Sequence, residues 1–300
     1  ERSRGLGDVY KRQMQNIQGV FDSYLLIRNS SNNYSIIDYD FNTVYNSNVK
    51  VKSNSICSIS ENGNYFAVAN GKEIIVINTK SDKKSVIKLK KDIYTLSFVN
   101  SDTLLFGEFS DTSSNHCDYT FYVYDANSET QEFFREYIGV ELSDFYCDSS
   151  GFSTLLETDD EAKICVQKFS GECKEYSIDK LLPYCLYSTV YIGEGGSKFI
   201  CLSRKNILRK AELYLVDLDA KKSSKLLSIR NKDLFGIPPF YILCFLDEKH
   251  YAVKLNDKIC VYDFSSSEPL ISYPTTDISL QPVLINNSDL LLSNGTLVQL

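Results

Sequence analysis

One short pattern, an alternating apolar run closed by a polar residue, recurs seven times along the chain. It reads Ile36-Ile37-Asp38, Val76-Ile77-Asn78, Val123-Tyr124-Asp125, Val166-Gln167-Lys168, Leu215-Val216-Asp217, Val261-Tyr262-Asp263 and Leu297-Val298-Gln299. Taking the polar residue as anchor, successive copies lie 40, 47, 43, 49, 46 and 36 residues apart. A step of about 20–50 residues marks a repeat architecture, because a unit that small cannot bury its own apolar face and must stack on the next.

Each copy is preceded by the same sequence of features. About ten residues upstream lies a second apolar run, as in Tyr24–Ile27, Tyr65–Val68, Thr103–Phe106 and Lys198–Cys201. Before it stands another, as in Ser55–Ser60, Ile93–Phe98 and Phe240–Phe245, joined by an Asn-, Asp- or Gly-bearing turn such as Glu61-Asn62-Gly63 or Ser149-Ser150-Gly151. Such turns supply the positive-φ positions of β-hairpins. After each anchor comes a more charged segment, for example Glu129–Arg135 or Lys221–Leu227. The unit is therefore a meander of four antiparallel strands, apolar inside and half-solvated at its outermost strand. No helical stripe competes with this reading; Ile178–Leu182 allows one turn and stops at Pro183. The chain has 300 residues, 43% of them hydrophobic, but few Ala, while Ser, Asn, Tyr, Ile and Val, which favour strands and turns, are plentiful. The fold class is all-β, with enough apolar chain for a large core.

The repeat resembles that of WD-repeat-like β-propellers over about residues 16–300. The resemblance is to architecture and not to the signature, since no unit has the Gly-His pair and the chain has no Trp. Asp125, Asp217 and Asp263 occupy the matching terminal Asp position. The segment Leu213–Lys222 also resembles blades of six-bladed periplasmic and peptidase-associated propellers. The resemblance implies seven blades of four strands closing radially on themselves, with six blades or an incomplete ring as alternatives.

Residues 1–13 have no apolar periodicity and resemble a translated sequencing-adapter tail, directly followed by the single Met, Met14. The expected organisation is a non-native tail over 1–13 and one β-propeller domain over 14–300, its last blade lacking the outermost strand. Met14 is then either the true start or the remnant of a truncated gene, and the missing strand favours truncation.

The formal charge of −7 argues against a nucleic-acid partner, and the Lys83–Lys91 run reads as a solvated edge strand. No apolar stretch approaches the ~20 residues of a membrane span. The nine Cys are scattered without a Cys-x-x-Cys pair and sit mostly in apolar runs, so they read as reduced, buried thiols of a cytoplasmic protein. With only His116 and His250 besides, no metal or other cofactor is expected. The surplus of Asn, Lys, Ile and Tyr suggests an AT-rich bacterial genome.

Catalytic constellations are not evident. Gly151-Phe152-Ser153 lacks the second Gly of a nucleophile elbow. Gly193-Glu194-Gly195-Gly196 has no helix after it to cradle a phosphate. Asp159-Asp160-Glu161, Asp217-Leu218-Asp219 and Asp247-Glu248 fall on expected turns without a tuning partner, and His116-Cys117-Asp118 falls in an expanded loop.

What remains is the set of positions entering each innermost strand: Asn54, Asp92, Asp144, Tyr184, Tyr241 and Asp277. In a propeller these share one face around the channel, where loop-borne residues form the default recognition site. The leading expectation is a non-enzymatic, monomeric scaffold binding a protein or peptide there. The alternatives are a hydrolase- or lactonase-like propeller enzyme, a small-ligand binder, and a sensor or lipoprotein ectodomain whose signal sequence is missing.

Overall fold

The computed structural model describes residues 17–21, 23–40, 42–112, 116–182, 185–192, 196–206, 210–230, 233, 243–274, 283–285, 289–291 and 297–299. Residues 1–13, Tyr184, Tyr241 and Asp277 lie outside them. The described chain is almost entirely strand, and its order follows the repeat.

Four sheets are four-stranded antiparallel meanders. The first runs β1 (Ile17–Phe21), β2 (Tyr24–Arg28), β3 (Asn33–Asp38), β4 (Thr43–Lys50). The second runs β5 (Ile56–Ile59), β6 (Tyr65–Ala69), β7 (Glu73–Asn78), β8 (Lys84–Lys88). A seven-stranded sheet follows, with β9 (Asp92–Phe98), β10 (Thr103–Asp111), β11 (Cys117–Asp125), the long β12 (Thr130–Asp148), β13 (Gly151–Glu157), β14 (Ala162–Lys168) and β15 (Cys173–Ser177). A helical turn, α1 (Ile178–Leu181), comes next, where the sequence allows one. Two more four-stranded meanders are β16 (Cys185–Ile192), β17 (Lys198–Asn206), β18 (Lys210–Asp217), β19 (Lys222–Arg230), and β20 (Leu243–Phe245), β21 (His250–Lys254), β22 (Lys258–Asp263), β23 (Ile271–Pro274). A three-stranded sheet, β24 (Val283–Ile285), β25 (Asp289–Leu291), β26 (Leu297–Gln299), ends the described chain.

All seven sequence anchors end a third strand, at β3, β7, β11, β14, β18, β22 and β26. Their polarity has a local cause. The anchor carboxylate or amide oxygen accepts backbone N–H groups of the following turn, as an Asx turn does. Asn78 takes Lys80 and Ser81, Asp125 takes Asn127 and Ser128, Asp217 takes Ala220, and Asp263 takes Ser265. The turn into the second strand is built likewise, with Asn62 accepting from Asn64, and Asn100 from Asp102 and Thr103. Gly63 in that first turn has φ 68°, and a Cβ there would meet the Tyr24 hydroxyl at 2.7 Å.

The chain forms two compact units, residues 1–141 and 142–300, the division falling within β12. In the first unit β6 shows why inner strands are apolar throughout. Phe66 and Val68 pack with Leu26, Tyr34 and Ile36, while Ala67 and Ala69 pack with Leu96, Leu104 and Phe106. Alternate residues point to opposite faces, and both faces are covered. In the second unit β17 repeats the arrangement, with Phe199 and Cys201 against Leu155 and Ile164, and Ile200 and Leu202 against Tyr251 and Val253. The lysine-rich β8 pairs only with β7 and has one buried residue in five, the edge strand its sequence suggests. Around the loop expected at Ser110–Asp118, β10 and β11 stay paired out to Asp111 opposite Cys117, and residues 113–115 lie outside the described residues.

Candidate functional site

Asp144 sits in the second half of β12, beyond the stretch, Thr130–Val140, that pairs with β11. Its backbone is left-handed, with φ 42°, a conformation that Asp tolerates better than most side chains because it is short and polar. The carboxylate Oδ2 accepts the backbone N–H of Ile192, the last residue of β16, at 2.6 Å. Burial pushes the carboxyl up to about 7, against the pull of that N–H toward the ionised form. The adjoining residue, Ser143, makes polar contacts. The Ser143 hydroxyl donates to Glu157 Oε1 at 3.2 Å, and the Thr154 hydroxyl donates to the Ser143 carbonyl at 3.1 Å. A carboxyl that is half-ionised near neutrality suits proton transfer in either direction.

The other expected positions differ. Asn54 is an exposed turn residue that accepts from the Ser53 hydroxyl at 2.6 Å. Asp92 is exposed at the start of β9, opposite Phe109. Both belong to the first unit and Asp144 to the second. Of the three described positions, Asp144 is the one whose surroundings change its chemistry.

Two further carboxylates are notable: Glu108, which the sequence did not single out, and Asp247, which was expected on a turn without a partner. Glu108 is 4% exposed within an apolar strand, where Oε1 accepts the Lys90 N–H at 2.7 Å. A charge directly after Leu104-Leu105-Phe106-Gly107 was the available signal. Asp247 does have a partner, contrary to expectation: its Oδ2 lies 2.7 Å from His250 Nδ1, and Oδ1 accepts the N–H groups of Lys249 and His250. Burial opposes ionisation of Asp247, but the His250 ring and the two N–H groups outweigh it and hold the carboxyl below its ordinary value. Cys117, by contrast, has its thiol pushed up by burial and by the Asp111 carboxylate 3.4 Å away, so it is not an activated nucleophile.

The first unit carries a separate polar groove of about 320 Å³, lined by Asn62, Asn64, Tyr65, Asn78, Lys80, Ser101, Asp102 and Asn127. The Tyr65 hydroxyl donates to Asn127 Oδ1, and Asn127 Nδ2 to Asp102 Oδ2, each at 2.6 Å. The carbonyl oxygens of Asn62 and Asn78 are occupied by the turns they cap, which leaves their NH2 groups as donors. For a metal, the described residues offer one set, Cys165, Cys173 and Glu175, whose ligand atoms lie within 4.8 Å of one another. No sequence motif announces this set, because the two thiols meet across a hairpin.

The fold is that of the β-propellers. An oligogalacturonate lyase solved in complex with manganese is similar over 92% of this chain and 85% of its own, with TM-score 0.63 and 10% identity. The oligogalacturonate lyase of Vibrio parahaemolyticus is similar over 89% and 82%, with TM-score 0.60 and 10% identity. The Cps50 (Swd1) β-propeller domain of Myceliophteria thermophila is similar over 91% and 92%, with TM-score 0.57 and 11% identity. No family model matches the sequence, and no curated protein matches it. The expected likeness to WD-repeat propellers holds for the fold, which is shared with enzymes as well as with Swd1. That finding overturns the reading of the chain as a non-enzymatic scaffold, which rested on architecture and on motifs not found. The alternative of a propeller enzyme or ligand binder fits better. Among the described residues no helix is long and apolar enough to cross a membrane.

Proposed function

We propose that this chain is a seven-bladed propeller enzyme that acts on a small polar substrate by proton transfer, with Asp144 as the acid–base residue. The observation that carries the proposal is the Asp144 carboxyl, held on the Ile192 N–H from a left-handed backbone and pushed up by desolvation to about 7. Carbohydrate is the substrate class favoured by the likeness to oligogalacturonate lyases. For a uronic acid chain, elimination begins with removal of the proton next to the carboxylate carbon, a step that suits a base of near-neutral pKa. The remaining ring positions have no role in this proposal.

The test is turnover of a panel of oligosaccharides, oligogalacturonate included, by the wild type and by Asp144→Asn. Asn keeps an oxygen for the Ile192 N–H and tolerates the left-handed backbone, so the variant removes the ionisable group alone. The expected loss is roughly 10²–10⁴-fold in kcat. The wild-type rate should rise with pH through about 7 if Asp144 acts as base. Equal turnover by the two proteins overturns the proposal. A second reading, binding of a small polar ligand, is favoured by the donor-rich groove beside Tyr65; saccharide affinity that falls in Tyr65→Ala and not in Asp144→Asn selects it.

A further inference from the structure

We propose that Cys165, Cys173 and Glu175 form a binding site for a thiophilic divalent cation of the zinc class on the paired strands β14 and β15. The proposal is independent of any role for Asp144. In the ladder Cys165 lies opposite Glu175, and Gln167 opposite Cys173. Directly opposed residues of an antiparallel pair share a face, so these four side chains project from one side of the hairpin. The odd-numbered positions of β14 carry that face, while Ile164 packs in the core cluster on the other.

The geometry separates a cation site from a disulfide. Cys165 and Cys173 are diagonal neighbours, whose Cα atoms in such a ladder stand ~7–8 Å apart, beyond the usual ~4.4–6.8 Å of a disulfide. Their sulfurs are nevertheless 3.5 Å apart. Two thiolates at about 2.3 Å from a tetrahedral zinc stand about 3.8 Å from each other, so binding requires only a small outward shift. The Glu175 carboxylate completes three ligands from the protein, and a fourth position is left for water or for the Gln167 amide. Gln167 is 2% exposed, and while Nε2 donates to the Lys168 and Glu172 carbonyls, Oε1 is buried without a partner. An unmade hydrogen bond of this kind is costly unless something occupies the position.

The charges favour a cation. Two thiolates and the Glu175 carboxylate carry −3, and the nearby Lys163 ammonium, 3.1 Å from Glu175, is shared with Glu161 at 2.5 Å, so a divalent cation offsets charge that the protein itself leaves uncompensated. Binding releases the two thiol protons to solvent, so affinity rises with pH. Cys165 is buried and Cys173 half-buried, an arrangement that lets a cation enter from the Cys173 side.

The experiment uses the full chain, reduced and freed of metal, titrated with Cd2+ and read by the ultraviolet thiolate-to-cadmium absorption, with Zn2+ measured by competition against a chromophoric chelator. The expected result is one equivalent bound. Cys173→Ser should abolish the absorption although the other cysteines remain. Glu175→Gln, exposed and safe for folding, should keep the absorption while weakening Zn2+ roughly 10–100-fold. Cys57→Ser, remote in sequence, should change neither. The proposal is overturned by absorption that survives Cys173→Ser, by Zn2+ affinity unchanged in Glu175→Gln, or by a reduced protein that takes up no metal and on air oxidation links Cys165 to Cys173.

Discussion

The strands on either side of the middle of β12 share a backbone plan and differ in what fills it. Across β9–β11 and the first half of β12 the side chains are aromatic. Tyr94 meets Tyr119 edge-on at 4.8 Å, Phe121 meets Tyr137 at 6.1 Å, and Phe106 stacks on Tyr122 at 5.3 Å. From Ser143 through β15 buried polar side chains stand among the apolar ones: Ser153, Thr154 and Gln167 are all at most 2% exposed, although Phe145 still stacks on Phe152 at 5.1 Å. Aromatic filling stabilises through area and ring geometry, and asks of its surroundings only a partner for each buried Tyr hydroxyl. Polar filling must be satisfied bond by bond, and the groups that are not satisfied are the ones that shift in pKa or accept a ligand. Asp144 and the Cys165–Cys173 pair both belong to the polar stretch.

The contrast can be broken most severely on the aromatic side. Phe121 is fully buried between Tyr94 and Tyr137. Phe121→Ala should cost about 3–5 kcal/mol in urea unfolding, through lost burial and a cavity that its neighbours cannot close.

On the polar side the sign reverses. The Asp144 carboxyl, at about 7 in the folded chain, ordinarily titrates near 4, so folding favours its protonated form. That stabilisation is complete below about pH 4, declines as pH rises toward 7, and is gone above it. Asp144→Asn, which never ionises, should match the wild type in acid and exceed it by about 2–4 kcal/mol at pH 8, at about 1.4 kcal/mol per unit. Identical pH profiles of thermal unfolding would remove the burial argument.

A smaller effect tests how tightly the polar stretch is packed. Gly196 has φ 65°, its carbonyl accepts from the Ser153 hydroxyl at 3.2 Å, and a Cβ would fall 2.1 Å from that oxygen. Gly196→Ala should destabilise by about 2–3 kcal/mol, from the left-handed backbone and the clash together. In a Ser153→Ala background the clash shrinks and the backbone cost, about 1 kcal/mol, should remain. Full additivity in that double-mutant cycle would show the two residues uncoupled. Smallest of all, the Lys83–Glu129 ion pair has side chains 69% and 38% exposed, and Lys83→Ala should leave the melting temperature unchanged.

Much of the fold was legible because the repeat encodes local necessities. A polar residue must end the third strand to cap the turn that follows, and inner strands must be apolar on both sides, so Asp125 and Asp217 announce their positions. The candidate site was legible only in part. Asp92 and Asp144 are the same residue type at the same place in their repeats, yet one is exposed and the other meets the N–H of Ile192, 48 positions on. Cys165 and Cys173 show no ligand spacing in sequence. Their approach depends on the turn between the β14 and β15 strands, where Gly171 takes φ 94° and the Lys168 N–H reaches the Glu172 carbonyl. His250 and Asp247 stand close enough in sequence to pair on a turn, but turn carboxylates are ordinarily solvated, so the spacing alone does not announce the pair.

Sequence alone determined the all-β class, the meander unit, the anchors and the edge character of the lysine-rich strand, since periodicity and turn chemistry act over a few residues. Tertiary structure decided which of several equivalent carboxylates was partly desolvated, which thiols met, and which amide was left unpartnered. Desolvation depends on what distant segments bring to a side chain, and no local pattern carries that information.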